Sequence, residues 1–370
     1  MPTAAEEASV KNKIMKELNR HPFRPAWWLR NRHAQTIYVG LVRKQLGHIG
    51  APKMRRERWD TPDGDFLDLI FLDGRKDAPL VVLFHGMEGS HRSYYIPGYA
   101  KQFARLGWNF VVMFFRSCGF EMNRTSKLYH LGSTEDPEFV LQKLRERYPN
   151  QPRFAIGISL GGNVLSKWMG QQGDAAREFL DAAVVISPPV EPVTVAPTFH
   201  KLLWGFYAYH FVRTLKPKAL DVLRRYPGLL DEEAVKKAYN FYTFDDAVTS
   251  KLNGYKDAVD YWEQNDCGRF LADIRVPTLL IISGDDQFIL PACMPRETSD
   301  NSPYLYPQFT DKGGHAAFVS GPLPCSARYW YEEQSLRFLK AQLQRCAGAV
   351  PDAQESVRGS IRTCGSSAST

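Results

Sequence analysis

Apolar residues in this chain gather in short unbroken runs, with stretches of helical spacing between them. The runs at 79–84, 109–115, 153–158, 182–187, 277–283 and 304–309 read as strands, and the continuously apolar ones as strands buried on both faces. Ahead of them, 55–61 and 65–72 flank Pro62-Asp63-Gly64, turn chemistry that predicts a hairpin. Helical spacing is predicted over about 94–106, 135–148, the stretch after Gly162 and 326–344. Strand and helix therefore alternate, the signature of a parallel sheet covered on both sides.

The alternation breaks once. From about 190 to 271 there is no strand-like run, only helical spacing dense in aromatics: Phe199, Trp204, Phe206, Tyr207, Tyr209 and Phe211. A helical insertion between two sheet strands is expected to lie as a lid over the C-terminal ends of the strands. The predicted organisation is an N-terminal basic helical segment (1–54), a core in two parts (55–189 and 272–346), the lid (190–271) and a disordered tail (347–370). The tail has no aromatic residue and much Ser, Gly and Ala.

At 370 residues and 44% apolar, the chain can bury a large core. No run of about 18 apolar residues occurs and the first residues are charged, so neither a membrane span nor a secretory leader is expected. The six cysteines lack paired spacing, which suits free thiols, and a cytoplasmic location follows as the expectation. The net charge of +7 is uneven: residues 1–60 hold 13 Lys/Arg against 5 Asp/Glu, the rest 34 against 35. Next to Trp27-Trp28 this surplus would suit peripheral contact with an anionic membrane, although a solvated face with the tryptophans packed on the body is the plainer expectation. No nucleic-acid motif accompanies the charge, and nucleic acid is not expected as a partner.

Chemistry enters with Gly157-Ile158-Ser159-Leu160-Gly161, set between a strand and a helix. A serine there sits on a tight, strained turn that lifts its hydroxyl clear of the sheet, and side chains at Gly157 and Gly161 would collide. Leu160, opening the helix, has a free N–H for an oxyanion. A serine hydroxyl needs a base, and the base needs an orienting carboxylate. Two further loops follow strands: Ser283-Gly284-Asp285-Asp286-Gln287 and Gly313-Gly314-His315. The expected triad is Ser159, Asp286 and His315, with Asp285 the alternative carboxylate, better suited to stabilising the turn. A second oxyanion donor is expected from the Met87 N–H in the loop after 79–84. There His85 is expected to order the loop rather than act as the base. No cofactor or metal is required.

Several motifs resemble a known family: His33-Ala34-Gln35-Thr36-Ile37, His85-Gly86-Met87-Glu88-Gly89-Ser90, Glu121-Met122-Asn123-Arg124, Tyr129-His130-Leu131-Gly132, Gly157 to Asn163, Phe244-Asp245-Asp246-Ala247-Val248-Thr249 and Gly313-Gly314-His315. Over about residues 21–344 the chain is similar to the YheT-like branch of the α/β-hydrolases, related to eukaryotic alpha/beta-hydrolase-domain lipid esterases. The resemblance implies an α/β-hydrolase fold with a mostly parallel eight-stranded sheet and a helical lid after the sixth strand. It also implies hydrolysis of carboxylic esters of acyl chains by Ser159, Asp286 and His315. The family's Asp-Asp-Pro-Phe is Asp285-Asp286-Gln287-Phe288 here, without the stiffening proline. Acyl transfer to an alcohol, or a non-catalytic lipid-binding or interaction role on the same scaffold, are the alternatives.

Overall fold

The structure, a computed structural model, describes residues 4–199, 205–346 and 348; Trp204 and, apart from Gly348, the predicted disordered tail lie outside them. The strands are β1 Arg55–Asp60, β2 Phe66–Leu72, β3 Leu80–Phe84, β4 Asn109–Met113, β5 Arg153–Ile158, β6 Ala182–Ile186, β7 Thr278–Ser283 and β8 Leu305–Thr310. They form one sheet in the order β1-β2-β4-β3-β5-β6-β7-β8, parallel from β4 onward, with β2 antiparallel to both β1 and β4. The predicted hairpin is present, its turn closed by Gly64 at φ 81°.

The apolar runs do as their pattern demands. β3, β4 and β6 are buried at every position, and alternate side chains enter two separate cores. Leu80, Val82 and Phe84 pack with Val140, Leu144, Val164 and Trp168 under the Glu135–Arg147 and Leu160–Gln172 helices. Val81 and Leu83 pack with Tyr99, Phe103, Phe338 and Leu339 of the Ile96–Leu106 and Trp330–Cys346 helices. Each such fully buried side chain contributes about 1.5–3 kcal/mol, which is why the sheet is a rigid base for the loops at its C-terminal edge.

Among the element boundaries that differ from the sequence reading, two have a clear cause. β4 stops at Met113 because the Phe115 N–H turns to the His85 side chain (Nε2, 3.1 Å) instead of a strand carbonyl, although the Phe114 N–H still follows the antiparallel register to Asp68 O at 3.0 Å. The last helix starts at Trp330 rather than 326, because Arg328 and Tyr329 pair antiparallel with Ser320 and Val319. The five described cysteines, Cys118, Cys267, Cys293, Cys325 and Cys346, are all unpaired.

Between β6 and β7 the described residues form helices and turns without a strand, the longest helix being Phe206–Arg225. This stretch carries a small core of its own, with Val212, Ala219, Val235, Phe244 and Val248 buried together. The N-terminal helix Ala4–Asn19 is docked rather than free: Lys11 Nζ donates to the Ser299 and Ser302 carbonyls at 2.8 and 2.7 Å, and the fully buried Glu7 pairs with Arg177 and Arg345.

Candidate active site

β5 delivers the chain into the turn at Ser159, whose φ of 53° and ψ of −120° are strained for a residue with a side chain. The flanking glycines are required by space. A Cβ on Gly157 would lie 2.6 Å from the Gly161 carbonyl oxygen, and one on Gly161 would run into the Phe84 carbonyl. The Ser159 N–H is tied to Ile186 O of the neighbouring strand at 2.8 Å, so the turn is pinned to β6.

Three side chains from separate strand ends meet here. His315 Nε2 lies 2.8 Å from Ser159 Oγ, and His315 Nδ1 lies 3.0 and 2.9 Å from Asp286 Oδ1 and Oδ2. A carboxylate can only accept, so Nδ1 carries the proton and Nε2 faces the hydroxyl with its lone pair. Asp286 is almost fully buried and also accepts the Phe288 N–H at 2.8 Å. Asp285, one residue earlier, takes the Ser283 hydroxyl at 2.5 Å and the Gly314 N–H at 2.9 Å, bracing the two loops against each other.

The histidine loop has a further anchor that sequence reasoning had not assigned. The Arg32–Tyr38 helix presents Thr36, whose hydroxyl accepts the His315 N–H at 3.0 Å and Gln287 Nε2 at 2.9 Å while donating to Arg32 O. Gln35 beside it accepts the Val319 N–H at 2.9 Å. Gly314, at φ 59°, allows this approach, since a Cβ there would sit 2.6 Å from Arg32 O. Ser187 Oγ accepts the Ala316 N–H at 3.1 Å, and the Phe288 ring meets the imidazole edge to face at 4.5 Å.

On the opposite side stands the loop after β3. His85 is fully buried; its Nε2 accepts the Phe115 N–H, so Nδ1 bears the hydrogen that reaches Gly86 O at 2.7 Å. Burial lowers its pKa to about 4, so it stays neutral. The Gly86 N–H donates to the Tyr95 hydroxyl at 3.0 Å and the Glu88 N–H to the Tyr129 hydroxyl at 2.8 Å. Among the described residues the Met87 and Leu160 N–H groups have no protein acceptor, and both residues line the cleft beside Ser159.

That cleft, open to solvent, is walled mostly by apolar side chains, among them Leu131, Val195, Phe211, Phe241, Phe244 and Trp262. Asp245 and His130 are among the polar groups that interrupt the wall. Asp245, bonded to Thr249 and Trp262 at 2.6 and 2.8 Å, has its pKa raised to about 6 by burial; His130 has its own lowered to about 3 by burial. Tyr95, Tyr129 and Thr36 bear no periodic or spacing signal of their own; only the motifs around Thr36 and Tyr129 marked them out.

Comparison with known proteins agrees with this architecture. Residues 79–322 match the family described as the alpha/beta hydrolase fold. YheT of Escherichia coli K12, an esterase by name, is 34% identical over 327 residues, covering 87% of this chain and 94% of that one. Phospholipase ABHD3 of Bos taurus is 28% identical, covering 82% and 75%. The monoacylglycerol lipase of Saccharomyces cerevisiae is 26% identical, covering 77% and 63%. Among solved structures, the Pyrococcus horikoshii acylaminoacyl peptidase superposes with a TM-score of 0.50 at 16% identity, over 83% of this chain and 43% of that one, a likeness of fold alone.

Proposed function

The chain belongs to the alpha/beta-hydrolase family and is an ester hydrolase, and from that premise we propose that it cleaves carboxylic esters through an acyl-enzyme on Ser159. Its substrates are short- to medium-chain acyl esters or acylglycerols, whose apolar chain suits the aromatic cleft. His315 Nε2 takes the Ser159 proton as Oγ attacks the ester carbonyl, and the Met87 and Leu160 amides receive the developing oxyanion. The imidazolium then protonates the departing alcohol. Water, deprotonated by the same nitrogen, releases the acid, while Asp286 stays ionised and holds the ring.

The observation that carries this reading is the relay of 2.8 Å from Ser159 Oγ to His315 Nε2 and 2.9 Å from Nδ1 to Asp286. A fluorescent fluorophosphonate should label the native protein and not Ser159→Ala. Equal labelling of both, or of neither, overturns the assignment.

A second reading concerns where the enzyme works. No helix among the described residues is long and apolar enough to cross a membrane. On either side of the buried Arg43, however, Leu41, Leu46 and Ile49 are each more than half exposed, and Lys44, Lys101 and Arg105 lie near the last two. Exposed apolar residues within a basic surround suit peripheral contact with an anionic lipid surface. Flotation with vesicles containing phosphatidylglycerol, lost in Leu46→Asp/Ile49→Asp, is the expected result; no flotation of the native protein rules this contact out.

A further inference from the structure

Two motifs that the triad leaves unused, Tyr129-His130-Leu131-Gly132 and Phe244 to Thr249, meet in the wall of the cleft that contains Ser159. His130 Nδ1 accepts the Gly132 N–H at 3.1 Å. Burial keeps the ring neutral, so its hydrogen is on Nε2, for which the described residues offer no acceptor. Asp245 opens a π-helical turn, a rare geometry often found at functional sites, and its two oxygens accept the Thr249 hydroxyl at 2.6 Å and the Trp262 indole N–H at 2.8 Å. Each oxygen keeps a further lone pair. The Ala258–Asn265 helix joins the two motifs. Its Trp262 holds Asp245, while the adjacent Tyr261 hydroxyl accepts the Leu131 N–H at 2.9 Å and the Tyr261 ring meets His130 edge to face at 5.7 Å. Neither Asp245 nor His130 is fully covered, and both line the cleft.

A carboxylate is a poor choice if its task is only to hold an indole and a hydroxyl. An amide or a backbone carbonyl accepts such bonds with no charge to desolvate, and desolvation has already raised the Asp245 pKa to about 6. A neutral N–H and a carboxylate facing one apolar cleft can together satisfy a hydroxyl, which accepts and donates at once. A terminal carboxylate would meet the charge of Asp245, an ammonium could not use the His130 N–H, and a plain chain would leave both groups without a partner. The strand order separates the two halves of the substrate. Ser159 follows β5, His130 lies in the loop after β4 and His315 in the loop after β8, and β4 and β8 stand on opposite sides of β5. The departing alcohol takes its proton from His315 Nε2 and so leaves on the β8 side. The part of the substrate that reaches His130 is the acyl chain.

We propose that His130 and Asp245 form a polar subsite for a hydroxyl group on the acyl chain, so that esters of hydroxylated medium-chain acids are preferred to esters of plain ones. His130 Nε2 donates to the hydroxyl oxygen, and Asp245 accepts the hydroxyl hydrogen. Both residues determine specificity by touching the substrate away from the bond that breaks. This rests on the reading of Ser159 as the nucleophile of an ester hydrolase and adds to it the chemistry of the acid released.

The test measures kcat/KM for methyl decanoate and for the methyl esters of the 3- to 10-hydroxydecanoic acids, which share one leaving alcohol. At least one hydroxylated ester should exceed the plain one by about tenfold or more, the worth of a hydrogen bond to a charged group. That ratio should fall by about tenfold in Asp245→Asn, and likewise in His130→Asn, whose shorter amide can still accept the Gly132 N–H. A purely structural role would slow both esters alike and leave the ratio in place. Equal rates for the plain and every hydroxylated ester in the native protein, or a preference that survives both variants, would overturn the subsite. A preference for monodecanoylglycerol over propyl decanoate that vanishes in these variants, with none among the acyl chains, would put the hydroxyl on the alcohol and overturn the acyl assignment. Fluorophosphonate labelling of Ser159 beside such results would leave the hydrolase standing; no labelling and no turnover of any ester would sink the hydrolase reading and the subsite with it.

Discussion

Two loops at the C-terminal edge of the sheet, after β3 and after β8, each carry a histidine next to a glycine, and both lie against Ser159. A Cβ on Gly86 would come within 3.3 Å of the serine Cβ, while His315 touches the hydroxyl itself. The two imidazoles nevertheless do opposite things. His85 has both nitrogens bound to backbone, donating to Gly86 O and accepting from Phe115, and burial keeps it neutral. His315 has a carboxylate at one nitrogen and a hydroxyl at the other, so its ring can take a proton and be compensated for it. Proximity to Ser159 is common to both; the partners of the two ring nitrogens decide which one is fit to be a base.

The sharpest way to break this comparison is to remove each histidine. His315→Ala should lower ester turnover by roughly 10⁴-fold with the fold intact; near-native turnover would mean that another group, His85 first among them, is the base. The adjacent carboxylates extend the test. Asp286→Asn, which exchanges an acceptor for a group that can donate to Nδ1, should cost roughly 10³–10⁴-fold in kcat, whereas Asp285→Asn should cost less than about tenfold, since Asp285 only braces the loop.

His85→Leu should act through structure. It strands the Phe115 N–H and the Gly86 carbonyl in the interior, costing about 2–4 kcal/mol in urea unfolding, and loosens the Met87 loop, lowering kcat by about 10–100-fold. A variant of native stability and activity would show that the loop holds without its imidazole. The smallest effect is in pH. The unfolded histidine protonates below about 6.5 while folded His85 resists until about 4, so its contribution is whole above 6.5 and is lost as pH falls towards 4. At pH 5 that amounts to about 2 kcal/mol, and His85→Gln should lose less stability than the native protein between pH 7 and 5.

The sheet could be read from the chain because its signals are local. A run such as Leu80-Val81-Val82-Leu83-Phe84 has no polar face to offer and must be a strand covered on both sides. The glycines around Ser159 announce a turn that no larger residue could make. Strand ends followed by Asp285-Asp286 and by Gly313-Gly314-His315 marked where a carboxylate and an imidazole would meet beside Ser159, because loops after parallel strands converge. Element ends were less legible. β4 ends early because the Phe115 N–H is claimed by His85, thirty residues away, and the last helix starts late because Arg328 and Tyr329 find a partner strand.

What the order of residues determined by itself is the scaffold and the three loops whose side chains converge, since apolar period, turn sterics and chain order are properties of neighbours. Only the folded chain decided which of two consecutive aspartates meets the imidazole, which of two histidines is locked to backbone, and that Thr36 and Tyr129 hold the surrounding loops. Those roles depend on contacts between residues up to 279 positions apart, and their geometry exists only once the sheet has brought its ends together.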